Sequence, residues 1–340
     1  MMDKTKVAIL GGSGYTALEL IKILLRHPNV EIEAITSRQE GTPLISELHP
    51  SLFNRINLRC EPFDPDGLLK RGVSCAFGCL PHGVSMEVVP ALLERGIRVV
   101  DLSADYRLRD PKVYAQWYGE QHHDAANLAR AVYGLPEVYG DAIRDATLLA
   151  NPGCYPQTGI LGLAPLAASK MIELRGLIVN SLSGVSGAGR TPKLAYHFPE
   201  CNESITAYNI GKHRHTPEME QALGDVAGEA VEIIFSPHLA PMDRGIFSTI
   251  YAVPTRSVTE PQLLDLYREY YAKAPFVRVR DTLPATKDVA FSNFLDLCIK
   301  VVRGKIVILA CEDNLIRGAS GVAVQNFNRM FSYPETTALL

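Results

Sequence analysis

The stretch that most restricts how this chain can fold lies near its start, where Val7-Ala8-Ile9-Leu10 leads into Gly11-Gly12-Ser13-Gly14-Tyr15-Thr16-Ala17. Residues 6–10 read as a buried strand, and 16–25 as an amphipathic helix with apolar positions at Leu18, Leu20, Ile21, Leu24 and Leu25. A second strand follows over 30–36. Strand, glycine turn, helix and strand form a βαβ unit, which belongs in a parallel sheet. Counted from Gly12, the turn is G-x-G-x-x-A: its glycines let the backbone approach a pyrophosphate, and the helix amides face it. A dinucleotide is expected across Gly11, Gly12, Ser13, Gly14, Tyr15 and Thr16.

The alternation continues with strands at 75–80, 97–102 and 148–150 and a helix around 86–95, which implies a doubly wound parallel sheet of the Rossmann type. Beyond Asn151 the texture changes. A helix over 156–168 and a strand over 177–182 precede β-rich stretches at 231–235, 246–253, 295–302 and 306–310, the last two joined as a hairpin at Arg303-Gly304. The expected fold class is α/β: a Rossmann-type domain over 1–150, joined by a C-terminal helix within 314–340, and an α+β domain with a mixed or antiparallel sheet over 151–313.

Composition agrees and narrows the partners. A length of 340 residues suits two domains. With 47% hydrophobic and 21% charged residues there is apolar material for both cores. A net charge of −3 lacks the basic excess of a nucleic-acid or anionic-membrane binder, so small molecules and further copies of the chain are the expected partners. The uncharged stretch 146–169 is broken by Asn151, Pro152, Gly153, Pro156 and Gln157 and does not read as a membrane span. The first residues, Met1-Met2-Asp3-Lys4, hold no apolar run of signal-peptide length, so a cytoplasmic location is expected. Seven scattered cysteines without a CxxC pair fit free thiols in a reducing compartment.

The second strand ends in Thr36-Ser37-Arg38 rather than in the carboxylate that accepts hydrogen bonds from an NAD ribose. Ser37 and Arg38 suit a 2′-phosphate, which favours NADP. In Asn151-Pro152-Gly153-Cys154-Tyr155-Pro156 a cysteine stands on a strand-to-helix turn, where helix amides favour the nucleophilic thiolate. A base for it is sought in Gly211-Lys212-His213-Arg214-His215-Thr216-Pro217-Glu218. On an extended segment the two histidines would emerge on one side about 6–7 Å apart, one facing the sulfur and the other a substrate anion. Further ligands at zinc spacing are not evident, so no metal is expected. His122-His123 reads as solvated, and His82 as either structural or functional. The small-residue run Ser183-Gly184-Val185-Ser186-Gly187-Ala188-Gly189-Arg190 and the arginines of Asp105-Tyr106-Arg107-Leu108-Arg109 suit anionic ligands.

Together with Leu80-Pro81-His82-Gly83 and Asp101-Leu102-Ser103-Ala104-Asp105-Tyr106-Arg107, these segments resemble, end to end, the N-acetyl-gamma-glutamyl-phosphate reductase family of the semialdehyde dehydrogenase superfamily. Ala17 departs from the glycine many relatives carry there. The resemblance implies an NADP-dependent, aldehyde-forming enzyme of arginine biosynthesis that acts on an acyl phosphate and releases phosphate. It implies a Cys154 nucleophile, a His215 base, and catalysis and dimerisation in the second domain of a homo-oligomer, dimer or tetramer. It further implies substrate contacts at Arg107, Arg190, His213 and Glu218. Cofactor contacts would extend from the glycine turn, Ser37 and Arg38 to Leu80, Pro81, His82, Ser183, Gly184, Gly187 and Asn314. Two alternatives remain: the same chemistry on aspartyl or N-acetyl-aminoadipyl phosphate, and a catalytically silent NADPH-binding sensor.

Overall fold

The computed structural model describes residues 4–340; residues 1–3, and the part of the N-terminal reading that falls on them, lie outside it. The chain divides into two compact units: Met1–Ala115, Gly119–Pro152 and Ala319–Leu340 form the first, Gln116–Tyr118 and Gly153–Gly318 the second.

The first unit contains strands β1 (Thr5–Leu10), β2 (Val30–Thr36), β3 (Cys60–Glu61), β4 (Val73–Gly78), β5 (Arg98–Asp101), β6 (Val132–Tyr133) and β7 (Leu148–Ala150). They form one sheet in the order β3-β2-β1-β4-β5-β7-β6, with every neighbouring pair parallel. The order reverses between β1 and β4, the kind of switch point where doubly wound sheets bind ligands beyond their strands' carboxyl ends. The helix Tyr15–Leu24 starts there, and its N-cap, Gly14, contributes no side-chain hydrogen bond. The N-cap residue itself therefore leaves the first-turn amides to other partners. The last helix, Gly321–Met330, is anchored in the same unit: Phe327 packs on Phe77 of β4 at 5.5 Å, and Asn326 Nδ2 donates to Gly134 O at 2.7 Å.

The second unit holds β8 (Leu177–Gly184), β9 (Thr206–Ala207), β10 (Ile233–Ala240), β11 (Ile246–Ala252), β12 (Val277–Val279), β13 (Leu295–Val302) and β14 (Lys305–Glu312), in the order β12-β13-β14-β11-β8-β10-β9. Two of its pairs, β8 with β10 and β12 with β13, are parallel and the others antiparallel, so the sheet is mixed. Arg303 and Gly304 turn the β13–β14 hairpin with φ of 50° and 74°, the left-handed pair that a type I′ turn requires. The helix Cys154–Ala168 starts two residues earlier than the apolar pattern indicates, because Gly153 takes the extended N-cap position and Pro156 is tolerated in the first turn. Its side chains are buried from Tyr155 to Ala167. Gly159 and Gly162 admit Met219 and Ile250: a Cβ at either would stand 2.5 Å from Met219 Sδ or 2.6 Å from Ile250 Cδ1. The helix His215–Ala227, which carries Met219, is thereby drawn against the cysteine's helix. Among the described residues no helix is long and apolar enough to cross a membrane.

Candidate active site

In the first unit the glycine turn lies flush against its neighbours. Gly11 has φ +87°, and a Cβ there would stand 2.4 Å from the Cys79 carbonyl oxygen; one on Gly12 would stand 2.5 Å from Ile35 Cγ2. Both amides donate to Thr36 O, at 3.1 and 2.9 Å, which seats the turn on the end of β2. Beside it opens a cleft of about 330 Å³ lined by Leu10, Gly11, Thr36, Ser37, Arg38 and Leu80, with Phe63, Val84, Glu87 and Val88. That volume is at the lower end for small-molecule sites, enough for part of a dinucleotide. Arg38 Nη2 lies 3.4 Å from Glu87 Oε2, and both side chains are largely exposed. Such a surface pair is weak and exchangeable. Glu33, the carboxylate inside β2, pairs instead with Lys6 at 3.0 Å.

The Leu80-Pro81-His82-Gly83 turn is held from below by buried carboxylates. Asp105 accepts from the amides of Gly83 at 2.9 Å and Ser85 at 3.1 Å and from the Tyr114 hydroxyl at 3.0 Å. Asp101 accepts from the Ser85 and Ser103 hydroxyls at 2.7 and 2.6 Å. Burial nevertheless pushes its carboxyl up to about 6, with Asp105 adding to the shift. His82 is exposed, and its Nδ1 accepts from the Ala104 amide at 3.1 Å. His122 is half-buried rather than solvated as expected. Its ring packs edge-on against Tyr106 and Tyr114, its Nε2 lies 2.8 Å from Asp105 O, and burial lowers its pKa; His123 is exposed. Arg107 is buried and donates from Nε to Asn151 O at 2.8 Å and from Nη2 to Leu102 O at 3.0 Å, bracing the segment that leads to Pro152.

In the second unit Cys154 is the first residue of its helix and half-buried. The helix dipole and first-turn amides favour negative charge there. The Gly153 amide is already engaged, donating to Glu218 Oε1 at 2.7 Å, so an oxyanion beside the cysteine falls to the amides that follow it. Glu218 is buried and stands in the first turn of the helix that begins at His215, where it ties the two helix starts together. Tyr155 donates to His238 O at 3.2 Å and accepts from Tyr208 at 2.9 Å. Burial pushes both phenols up, and charge on Cys154 adds to the shift, which sets the two hydroxyls in the cysteine's field. Burial acts on five of the other thiols. Cys60, Cys75, Cys298 and Cys311 are buried with raised pKa values, and Cys79 is pushed up to about 12.

The histidines differ from the extended arrangement expected of them. His215 opens a helix, and its amide donates to His213 Nδ1 at 3.2 Å; the rings meet edge to face with centroids 4.7 Å apart. The physical reason is readable in hindsight: Pro217 and Glu218 suit a helix's first turn, and the apolar positions Met219, Ala222 and Leu223 continue it. Tyr155 faces both rings, at 5.5 and 5.9 Å, and Tyr208 and Phe235 close on His213. Burial, with Arg214 adding, pushes His213 down to about 4. With Nδ1 accepting, its proton sits on Nε2, and at neutral pH it offers a substrate anion a hydrogen bond.

The run after β8 turns on a close approach. A Cβ on Gly184 would stand 2.4 Å from Asp243 O. Ser183 is buried, Gly187 and Arg190 exposed. Asn314 accepts from the Gly245 amide at 2.7 Å and donates to Ser186 Oγ at 3.0 Å, so its carboxamide sets the loop's shape. The second unit thus assembles Cys154, His213, His215 and Glu218 with Tyr155 and Tyr208. The sequence reading did not single out the two tyrosines; Tyr155 adjoins the cysteine and could have been flagged, whereas Tyr208 carries no local signal. Among the described residues no group of three or more His, Cys, Asp or Glu side chains is arranged to hold a metal.

Two family models match the chain: the semialdehyde dehydrogenase NAD binding domain over residues 6–146 and the semialdehyde dehydrogenase dimerisation domain over residues 154–314. Curated relatives named N-acetyl-gamma-glutamyl-phosphate reductase include one from Rhodopirellula baltica, 47% identical, and one from Desulforudis audaxviator, 48% identical, each alignment covering 98% of both chains. Among solved structures, aspartate semialdehyde dehydrogenase II of Vibrio cholerae complexed with ASA is similar with a TM-score of 0.75 at 16% identity, covering 97% of this chain and 99% of that one. The Candida albicans aspartate semialdehyde dehydrogenase with NADP gives 0.68 at 14% identity over 97% and 99%; both likenesses bear on the fold. With a Rossmann-type sheet, a mixed-sheet second unit and relatives matched over nearly their whole length, the chain belongs to the N-acetyl-gamma-glutamyl-phosphate reductase family of semialdehyde dehydrogenases.

Proposed function

We infer that the chain catalyses the NADPH-dependent reductive dephosphorylation of N-acetyl-gamma-glutamyl phosphate to N-acetylglutamate 5-semialdehyde, the arginine-biosynthetic reaction its relatives are named for, through a thioester on Cys154. The observation that carries this reading is the position of Cys154, half-buried at the start of a helix whose preceding turn is bonded to the His215 helix by Glu218. The thiolate attacks the acyl carbon, the bond from that carbon to the phosphate oxygen breaks, and inorganic phosphate leaves. NADPH, when bound, supplies the electron pair and hydrogen that turn the thioester into an aldehyde. His215 takes the thiol proton and returns it to sulfur as the aldehyde departs. The helix amides after Gly153 stabilise the oxyanion in each step. His213 donates from Nε2, and Arg190, exposed at the end of its loop, meets the substrate anion. Arg107 supports the turn before Pro152.

The first unit fits the cofactor. The turn at Gly11 and Gly12 has no room for a Cβ, the N-cap Gly14 places no capping side chain before the following helix, and Ser37 and Arg38 line the adjoining cleft. Arg38 can leave Glu87 for a 2′-phosphate, which supports NADP. The match to a dimerisation domain supports a homo-oligomer, and the biosynthetic reaction a cytoplasmic setting. The test is phosphate-dependent reduction of NADP with N-acetylglutamate semialdehyde, run beside aspartate semialdehyde and N-acetyl-aminoadipate semialdehyde. The acetylglutamate compound is expected to give the highest kcat/KM; a higher value for either competitor overturns the substrate assignment.

A further inference from the structure

A π-helical turn, Ile316–Ser320, follows β14, with the wide i to i−5 bond made by the Gly318 amide to Asp313 O at 2.9 Å. Such turns interrupt regular helices and are frequent at functional sites. This one is fastened at both sides. Asp313, fully buried, receives the amides of Leu315 and Ile316 on Oδ1, each at 2.9 Å. Gln157, one turn into the Cys154 helix, donates from Nε2 to Arg317 O at 2.9 Å.

Gly318 then stands directly against the nucleophile. A Cβ there would lie 2.8 Å from Cys154 Cβ, 3.3 Å from Cys154 Cα and 3.1 Å from Glu312 Oε1. Its φ is not in the left-handed region, so the backbone does not demand glycine; the space does. The opposing atoms are the root of the cysteine side chain and its own main chain, which cannot swing aside as the end of a long side chain can.

We propose that Gly318 and Gln157 are positioning residues for Cys154: the π turn, locked to the cysteine's helix through Gln157, is the surface against which the Cβ of the nucleophile is seated. The proposal rests on the reading of Cys154 as the nucleophile. It deepens that reading by assigning the placement of the sulfur to a segment more than 150 residues further along the chain. Displacing a reacting atom by about 1 Å can cost on the order of 100-fold in rate.

In the full chain, Gly318→Ala is expected to lower kcat about 100-fold, with the KM for the aldehyde and the affinity for NADP unchanged. It should slow alkylation of Cys154 by iodoacetamide at every pH without moving the midpoint of that titration, because geometry changes and local charge does not. Gln157→Met keeps the side-chain length without the donor; it should move both readouts in the same direction by less, and it carries the test if Gly318→Ala does not fold. A folded variant with wild-type kcat and alkylation rate overturns the proposal, as does a loss of NADP affinity or helicity in step with kcat. Cys154→Ser separates the two ideas. If it still turns over, the covalent reading falls; if it is inert while Gly318→Ala behaves as wild type, only the positioning role falls.

Discussion

The main-chain amide of Gly153 donates to Glu218 Oε1 at 2.7 Å, joining the turn in front of Cys154 to the first turn of the His215 helix. Glu218→Ala leaves that buried amide unsatisfied, at a cost of about 1–3 kcal/mol in stability, and unties the two helix starts. Glu218→Gln keeps an acceptor oxygen. Urea denaturation and kcat should both show Gln near wild type and Ala clearly below it; equal behaviour of the two variants would rule out the clamp.

Cys154→Ser should abolish turnover while leaving NADPH binding intact, because a hydroxyl is a far poorer nucleophile at neutral pH. Peptide mapping after brief iodoacetamide treatment should find Cys154 modified ahead of the others. Cys60, Cys75, Cys298 and Cys311 are buried with raised thiol pKa values, and Cys79 is pushed up to about 12. Half-buried Cys201 is the internal competitor.

Arg38→Ala should weaken NADPH much more than NADH, because the only group it removes from the cleft is the expected partner of the 2′-phosphate. Glu87→Gln releases Arg38 from its 3.4 Å contact and takes a negative charge from the cleft wall, so it should tighten NADPH several-fold. Equal losses of both cofactors on Arg38→Ala, measured by fluorescence titration, would remove Arg38 from the site.

His213, pushed down to about 4, does not titrate near neutrality. His213→Asn should therefore leave the pH midpoint of Cys154 alkylation in place, whereas His215→Asn should shift it and lower kcat strongly. The stability signature has a definite sign. Because the folded-state pKa lies below the ordinary value of 6.5, stability is lost as pH falls from about 6.5 through 4, and thermal melts of His213→Asn should show less of that loss.

Asp101 should act in the opposite sense. Its folded-state pKa of about 6 exceeds the ordinary 3.8, so the folded state binds the proton more tightly and stability falls as pH rises between those values. An asparagine can accept from Ser85 and donate to the Ser103 hydroxyl in the same place. Asp101→Asn should flatten the slope of stability between pH 4 and 6, read from urea midpoints.

Local chemistry alone determined much of this protein. The turn at Gly11-Gly12 is legible because the left-handed φ of Gly11 and the turn's place between β1 and a helix are encoded within a few residues. The hairpin at Arg303-Gly304 and the helix-start position of Cys154 are legible for the same reason. Spacing alone misled at His213 and His215, where two residues apart means one thing on a strand and another at a helix start. The tertiary structure decided the rest. Glu218 reaches Gly153 across 65 residues, Tyr208 reaches Tyr155 across 53, and Gly318 seats against Cys154 from the far end of the second unit. Hydrogen bonds and steric contacts of that kind depend on which elements the sheet order and the helix packing bring together, and a one-dimensional pattern of side chains does not carry that distance.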